Sequence, residues 1–381
     1  MESSKRGTPL EDALAECLAS KRGTSPNYRT NFERVVGSWI EFCEQTGVTE
    51  LESVSKQTMS KYAGHLARRI EAGNSDTVEG GISATTAWTY YDYVSAFLSW
   101  AVTWDYLPEN PADKAAARES LPDRPSSGEY DRQYWQPEQR KAVVDWVHNR
   151  VESADRAPIA PTPILHKRLR DRALVATIAY SGVRGGEVLR DPNDPRRTGL
   201  QWADVDFDEG IAWIRGKNQD REAAQFPDQV VGPLERWRDA YEPPSEEWPV
   251  FPSMHVPTLS RRIATELGDE ERDRRTADRH YWTVALEAGV QPPSITTEGA
   301  RSLMKRLSAV VDVPGLDGED GEYLTLHGAR RGVGEFLYRN VGHEQAQRTL
   351  RHADPQTTSQ MYSHIDAGEL AEDNTKVFDS E

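Results

Sequence analysis

The 381-residue chain has only two cysteines, Cys17 and Cys43, both near its start. They form neither a CxxC pair nor a disulfide framework, which excludes stapled secreted scaffolds and makes a reducing cytoplasm the expected setting. No apolar run approaches the ~20 residues that cross a bilayer. Mean hydropathy is −0.73, and Met1–Leu10 holds no apolar signal core. Membrane and secreted classes are therefore excluded. The chain also lacks a GxxxxGK[ST] phosphate loop, a GxGxxG turn, an HExxH pair, a GxSxG elbow and any metal-ligand cluster. Nucleotide hydrolysis, hydride transfer and zinc chemistry have no support, so no cofactor, metal or nucleotide is expected.

Lysine is scarce too. The 46 basic residues comprise 36 Arg and 10 Lys, against 62 Asp and Glu, for a net charge of −16. No basic domain hides in this total: residues 1–113 carry 10 basic and 16 acidic side chains, and the remainder carries 36 and 46. Taken alone, the balance argues against nucleic acid as a partner, because phosphate binding usually leaves a basic footprint. A second reading stays open. An acidic, Arg-rich, Lys-poor surface suits a cytosol of molar salt, where the Debye length shrinks to about 3 Å.

Hydrophobic periodicity predicts four helices in the first part of the chain, over Pro9–Ser20, Ser25–Gln45, Ser55–Ile70 and Thr85–Trp104. The second carries an apolar stripe of Phe32, Val35, Val36, Trp39, Ile40 and Cys43, and the fourth stops at Leu107-Pro108-Glu109-Asn110-Pro111. Residues 1–113 thus read as a small all-α domain, and 114–133, with its Leu-Pro-Asp-Arg-Pro-Ser-Ser-Gly run, as an exposed linker. The second domain, 134–364, starts with a helix over Pro137–Arg150. A proline-rich loop follows (Pro158, Pro161, Pro163), and then an apolar helix over Asp171–Tyr180. Val205–Phe207, Ile211–Ile214 and Ala223–Phe226 read as short strands. From Pro233 the pattern is helical, interrupted by polar loops at Pro243–Pro252 and Pro314–Glu322; residues 365–381 form an acidic tail. The expected fold is mainly α, with one small antiparallel sheet in the C-terminal domain.

Four segments carry candidate chemistry. Ala179-Tyr180-Ser181-Gly182-Val183-Arg184 ends an apolar helix at a glycine and restarts with an arginine. Leu326-His327-Gly328-Ala329-Arg330 places His327 and Arg330 on one helical face. Leu350-Arg351-His352 is followed by Tyr362, and Gly216-Lys217-Asn218 occupies the turn between two predicted strands. Each element alone has an ordinary explanation: a capping arginine, a helix-end histidine, a packed tyrosine, a solvated lysine. His343 and His364 read as structural.

Together these segments resemble the tyrosine recombinase (phage integrase and Xer-type) family. Leu98–Pro111 is similar to the end of its helical core-binding domain, and the chain from Tyr134 is similar to its catalytic domain. Arg184 matches the first catalytic Arg, Lys217 the β-hairpin Lys, His327 and Arg330 the HxxR pair, His352 the second His, and Tyr362 the nucleophile. Glu187 fits the family's acidic position, and Arg351 stands where members usually carry Gly. The segment Arg190–Leu200 is longer than in compact members.

The resemblance implies a partner, double-stranded DNA, and an assembly, a homotetramer. It also implies a reaction. Tyr362 attacks a phosphodiester, forms a 3′-phosphotyrosyl bond and releases a 5′-hydroxyl, and strand exchange passes through a Holliday junction. Two guanidinium groups suit the spread-out negative charge of that transition state, and covalent capture conserves the bond energy. Lys217 is then the general acid, His327 assists proton transfer at the Tyr, and His352 hydrogen-bonds the phosphate. Lys56, Lys61, Arg68, Arg69 and Arg351 are candidate DNA contacts. The acidic tail either docks on a neighbouring subunit or frays. Net −16 on a DNA enzyme points to a haloarchaeon or its mobile element as the source. The rival readings are Xer-type dimer resolution, a type IB topoisomerase, and a non-catalytic DNA-binding protein of the same fold.

Overall fold

The computed structural model describes residues 7–21, 24–73, 80–125, 133–155, 162–216, 220–316 and 321–352. It divides into two compact units, Met1–Gly128 and Glu129–Glu381. No helix among the described residues is long and apolar enough to cross a membrane.

The first unit is built on four helices: α1 (Leu10–Ser20), α2 (Pro26–Gln45), α3 (Lys56–Gly73) and α4 (Ala84–Thr103). Proline at the first position of α2 has no N–H to waste, and the stripe read from the sequence is buried along its whole length. Ser83 caps α4 by accepting the Thr86 N–H at 3.2 Å. Trp39, Phe97, Phe32 and Met59 are fully buried in a shared core, each contributing about 1.5–3 kcal/mol by leaving water. Both cysteines lie in this core.

Into the first part of the 114–133 segment, expected as an exposed linker, the chain stays attached to the helical unit at a few points. Tyr91 Oη donates to the Ala112 carbonyl at 3.0 Å, and the Asn110 amide donates to the Ser95 carbonyl at 3.1 Å and accepts the Ala112 N–H at 2.9 Å. Beyond Asp113, Ala117 and Leu121 are buried, and Trp88 Nε1 donates to the Pro122 carbonyl at 3.1 Å. Arg124 stacks on Trp88 and forms a two-pronged pair with Asp92. Residues 114–125 therefore belong to the helical unit. Ala117 and Leu121 face the core while the residues around them are exposed, a split that the local pattern does not reveal.

In the second unit α5 (Pro137–Asp155) is followed by α6 (Thr162–Tyr180), the short α7 (Gly185–Val188), three strands and a run of helices. The central helix α6 contacts α5 on one side and packs elsewhere against helices introduced below. It starts at Thr162, not Asp171, because Pro163 sits in the first turn, where proline costs no hydrogen bond. The strands β1 (Val205–Asp206), β2 (Ile211–Arg215) and β3 (Arg221–Gln225) make an antiparallel sheet in sequence order, with Ile214 opposite Glu222. Ala212, Ile214 and Ala224 point into the core.

Six further helices plus α8 complete the unit: α8 (Asp228–Tyr241), α9 (Val256–Leu267), α10 (Asp269–Thr276), α11 (Tyr281–Glu287), α12 (Thr297–Val310), α13 (Leu326–Asn340) and α14 (His343–Leu350). Three of them, α8, α11 and α13, pack on α6. The loop 243–252, expected to be polar, buries Trp248, Val250 and Phe251, and the Val250 carbonyl accepts from Trp237 Nε1 at 2.7 Å. Its polar residues face outward while its apolar ones close the core beside α8.

Candidate active site

The site starts where α6 breaks. Ser181 folds its hydroxyl back onto the Thr177 carbonyl at 2.5 Å, and Gly182 turns the chain with φ +66. A side chain at 182 would meet Leu350 at 3.2 Å and Val333 at 3.4 Å in a conformation that already disfavours one. The turn delivers Arg184 to the start of α7. Its backbone N–H donates to Glu187 Oε2 at 2.6 Å and its guanidinium to Glu187 Oε1 at 2.7 Å. The Glu187 side chain is 1% exposed while that of Arg184 is 37% exposed, so a buried carboxylate holds an arginine whose face reaches solvent.

The next pair rides on α13. Thr325 caps this helix by accepting the Gly328 N–H at 2.9 Å. A strap from the start of the unit grips the same turn. Gln133 Oε1 accepts the Thr325 N–H at 2.6 Å, Trp135 Nε1 donates to the Thr325 carbonyl at 2.9 Å, and the Trp135 N–H donates to the Gly328 carbonyl at 3.1 Å. The helix geometry puts His327 and Arg330 on one face, as their spacing predicts. Arg330 is 3% exposed, donates to the Gly182 carbonyl at 2.5 Å, and also donates to the Leu350 carbonyl. One guanidinium thus fastens the Gly182 turn to the end of α14.

Arg351 and His352 follow α14. Arg351 adopts φ +53 and donates to the Thr349 carbonyl at 3.0 Å and to Glu187 Oε2 at 2.6 Å. Thr349 Oγ1 donates to Gln225 Oε1 at 3.1 Å, which connects α14 to β3. Burial pushes the His352 imidazole down to about 4, and the positive charges of Arg330, Arg184, Arg351 and His327 act in the same direction. At neutral pH it is an uncharged ring inside a concentration of positive charge, in a chain whose total is −16. An anion entering there meets hydrogen-bond donors and fixed charge together.

The structure therefore brings Arg184, His327, Arg330, Arg351 and His352 together. Lys217 and Tyr362 lie outside the described residues; the stem of the Lys217 turn is closed by the Gly216 N–H on the Asp220 carbonyl at 2.9 Å. The other candidate DNA contacts are on α3. Lys56, Lys61 and Arg68 are exposed, and Arg69 is half-buried beside Tyr90, over whose ring Arg34 also lies. Reading the sequence missed Arg34, the strap at Gln133 and Trp135, and the tie between Arg351 and Glu187. Of these, only the arginine at an expected glycine left a signal. Among the described residues no group of three or more His, Cys, Asp or Glu is placed to hold a metal ion.

Comparison with known proteins decides the family. The model of the phage integrase family matches residues 162–369, more than half of the chain and the whole of this cluster. The chain belongs to the phage integrase family. This is the family of tyrosine-type site-specific recombinases. Among its relatives is tyrosine recombinase XerC of Yersinia pestis, 22% identical over 62% of this chain and 65% of that protein. XerC of Psychromonas ingrahamii is 21% identical over 97% of this chain and 95% of its own. The same integrase fold appears in the Tn1549 transposon integrase. Its complex with circular intermediate DNA has a TM-score of 0.56 at 13% identity, covering 93% of this chain and 95% of that one. A variant bound to transposon right end DNA has a TM-score of 0.59 at 13% identity, covering 96% and 100%. Within this integrase-family chain, the matched region contains every candidate catalytic position, including Lys217 and Tyr362.

Proposed function

We propose that the chain cuts and rejoins duplex DNA at a specific site through Tyr362. The tyrosine oxygen attacks phosphorus, a 3′-phosphotyrosyl bond forms, and the 5′-oxygen leaves with a proton from Lys217. Arg184, open to solvent and held by Glu187, grips the non-bridging oxygens, while Arg330 supplies buried charge beneath them. Neutral His352 donates an N–H to the phosphate, and His327 assists proton transfer at the tyrosine. One observation carries this reading: Arg184 and Arg351 meet on the buried Glu187 carboxylate, and Arg330 ties the Gly182 turn to the Leu350 carbonyl just before His352. Glu187 balances part of this charge by pairing with Arg184 and Arg351, and a transferring phosphate is the further anion that the family's chemistry provides.

Strand exchange by a homotetramer through a Holliday junction is the assembly that fits this chemistry, with the core-binding unit contacting DNA through Lys56, Lys61, Arg68 and Arg69. The XerC relatives favour resolution of chromosome or plasmid dimers as a second reading beside integration of a mobile element. A cytoplasm of high salt remains our proposal for the setting, and it rests on the acidic, Arg-rich composition alone. The bacterial relatives give no support to a haloarchaeal source.

The test is covalent trapping. Protein and its Tyr362→Phe variant are mixed with DNA from the host locus at dilute and molar KCl, denatured, and scored for protein–DNA adducts whose ends are sequenced. An adduct that forms best in molar KCl and vanishes in the variant is expected. Adducts that persist in Tyr362→Phe refute the nucleophile, and best activity in dilute buffer refutes the salt setting.

A further inference from the structure

Residue 351 closes α14 in the left-handed region, which glycine occupies freely and a side chain does not. An arginine kept there needs compensating contacts, and its two ends have them. Beside the Thr349 carbonyl, one guanidinium nitrogen donates to Glu187 Oε2 at 2.6 Å. The Nε atom faces Glu222 Oε2 at 3.5 Å, and both of these buried atoms lack any hydrogen-bond partner among the described residues. Glu222 belongs to β3, and its carboxylate folds over Gly216, where a Cβ would come within 2.2 Å of Oε1. One planar fork therefore lies between the carboxylate that holds Arg184 and the carboxylate at the stem of the turn that carries Lys217.

We propose that Arg351 is a positioning residue that locks the β2–β3 hairpin to the Arg184 centre. Its side chain is 9% exposed and its guanidinium is turned to the two carboxylates, so in this proposal it acts through them, in place of the direct DNA contact expected from the sequence. Without the cation, Glu187 and Glu222 are two like charges converging on one place, and the hairpin has no reason to keep its distance from Arg184. With it, the described stem of the hairpin, Gly216 and Asp220–Glu222, is tied before DNA arrives to the carboxylate that holds Arg184. The inference rests on the reading of Lys217 as general acid, and its test separates the two.

Arg351→Gly suits the backbone at this position, so it removes the fork while relieving the strain. Hydrogen exchange on the full, DNA-free chain reads the lock directly. Exchange in a peptide spanning 211–225 is expected to rise about tenfold in Arg351→Gly and in Glu222→Gln, with α6 peptides unchanged. Unchanged exchange in the hairpin overturns the proposal. Single-turnover cleavage then uses a duplex built on the trapped site, carrying either the ordinary phosphate or a 5′-bridging sulfur, which leaves as thiolate without a proton. Arg351→Gly and Lys217→Ala are each expected to slow the oxygen substrate about a hundredfold, and both to recover on sulfur, while Arg184→Ala does not recover. Arg351→Gly slowed equally on both substrates, or not slowed at all, overturns the proposal. Lys217→Ala that fails to recover overturns the general acid, and the exchange result still decides the lock.

Discussion

In the first unit the buried polar side chains among the described residues are Thr58 and Asn110; in the second they include Arg140, His166, Arg170, Glu187, Asp194 and Arg330. The first interior holds no buried charged side chain among the described residues, and Trp39, Phe97 and Phe32 supply its shape. The second must hold charge: Glu187 and Arg330 have specific polar partners, whereas Arg140 lies over the rings of Tyr180 and Phe336. Some of these charges are structural. Arg170 pairs with Asp171 and donates to the Pro252 carbonyl at 2.9 Å, which ties α6 to the loop before α9. Others converge on His352. Burying an ion is expensive unless its partners are right, so a second unit built this way is organised around something that needs the charge. In the first unit Arg34 and Arg69 lie over the ring of Tyr90 outside that interior.

The largest effect that sharpens this contrast is at Glu187. Glu187→Gln leaves Arg184 and Arg351 without their shared anion and is expected to destabilise the second unit by about 3–5 kcal/mol and to abolish cleavage. Phe97→Ala is expected to cost the first unit a similar ~3–5 kcal/mol through a cavity. Denaturant-dependent hydrogen exchange of α6 and α4 peptides measures each separately. Equal tolerance of Glu187→Gln and a surface Gln substitution breaks the comparison.

Acid is the second lever. Below its ordinary 6.5, His352 in the unfolded chain takes up a proton that the folded site refuses until about pH 4. Stability is therefore complete above about pH 6.5 and falls as the pH drops toward 4, by about 1–2 kcal/mol after allowance for partial solvent screening. His166 and His280, also pushed down by burial, add to the loss in the second unit, whereas His65 alone does so in the first. Urea midpoints from pH 7.5 to 4.5 for the chain and for His352→Gln test the sign, and a flatter profile in the variant is expected. Stability that rises on acidification contradicts the mechanism.

The smallest effect is the most selective. Ser83→Ala and Thr325→Ala each remove one helix cap, worth about 1 kcal/mol. Only the second is expected to slow DNA cleavage, because His327 and Arg330 ride on the helix that Thr325 starts. Cleavage rates of the two variants at equal folded fraction decide it.

Helix positions were legible wherever an apolar stripe met a cap or a proline, as at Phe32–Cys43 and Ala84–Thr103. They were less so where the tertiary fold overrides the local signal. Pro163 reads as a loop residue until it is seen in the first turn of α6, and Leu121 reads as linker until it is seen buried. The site shows the same divide. Arg184, His327, Arg330 and His352 stand out by motif, yet nothing in a motif says that Arg330 fastens two chain turns together. Nor does it say that Glu187 serves two arginines, because Arg351 reaches it only through a left-handed residue 164 positions away in sequence.

Cys17 and Cys43 lie in the first unit's core, where burial pushes their thiols up to about 11 and about 12. Thiols held protonated and covered react slowly with maleimides and peroxide. The second unit has no cysteine at all. A single cysteine introduced on the hairpin or beside α14 is thus chemically distinct in the unmodified background, and a dye or spin label can be attached there without first removing the native sulfurs.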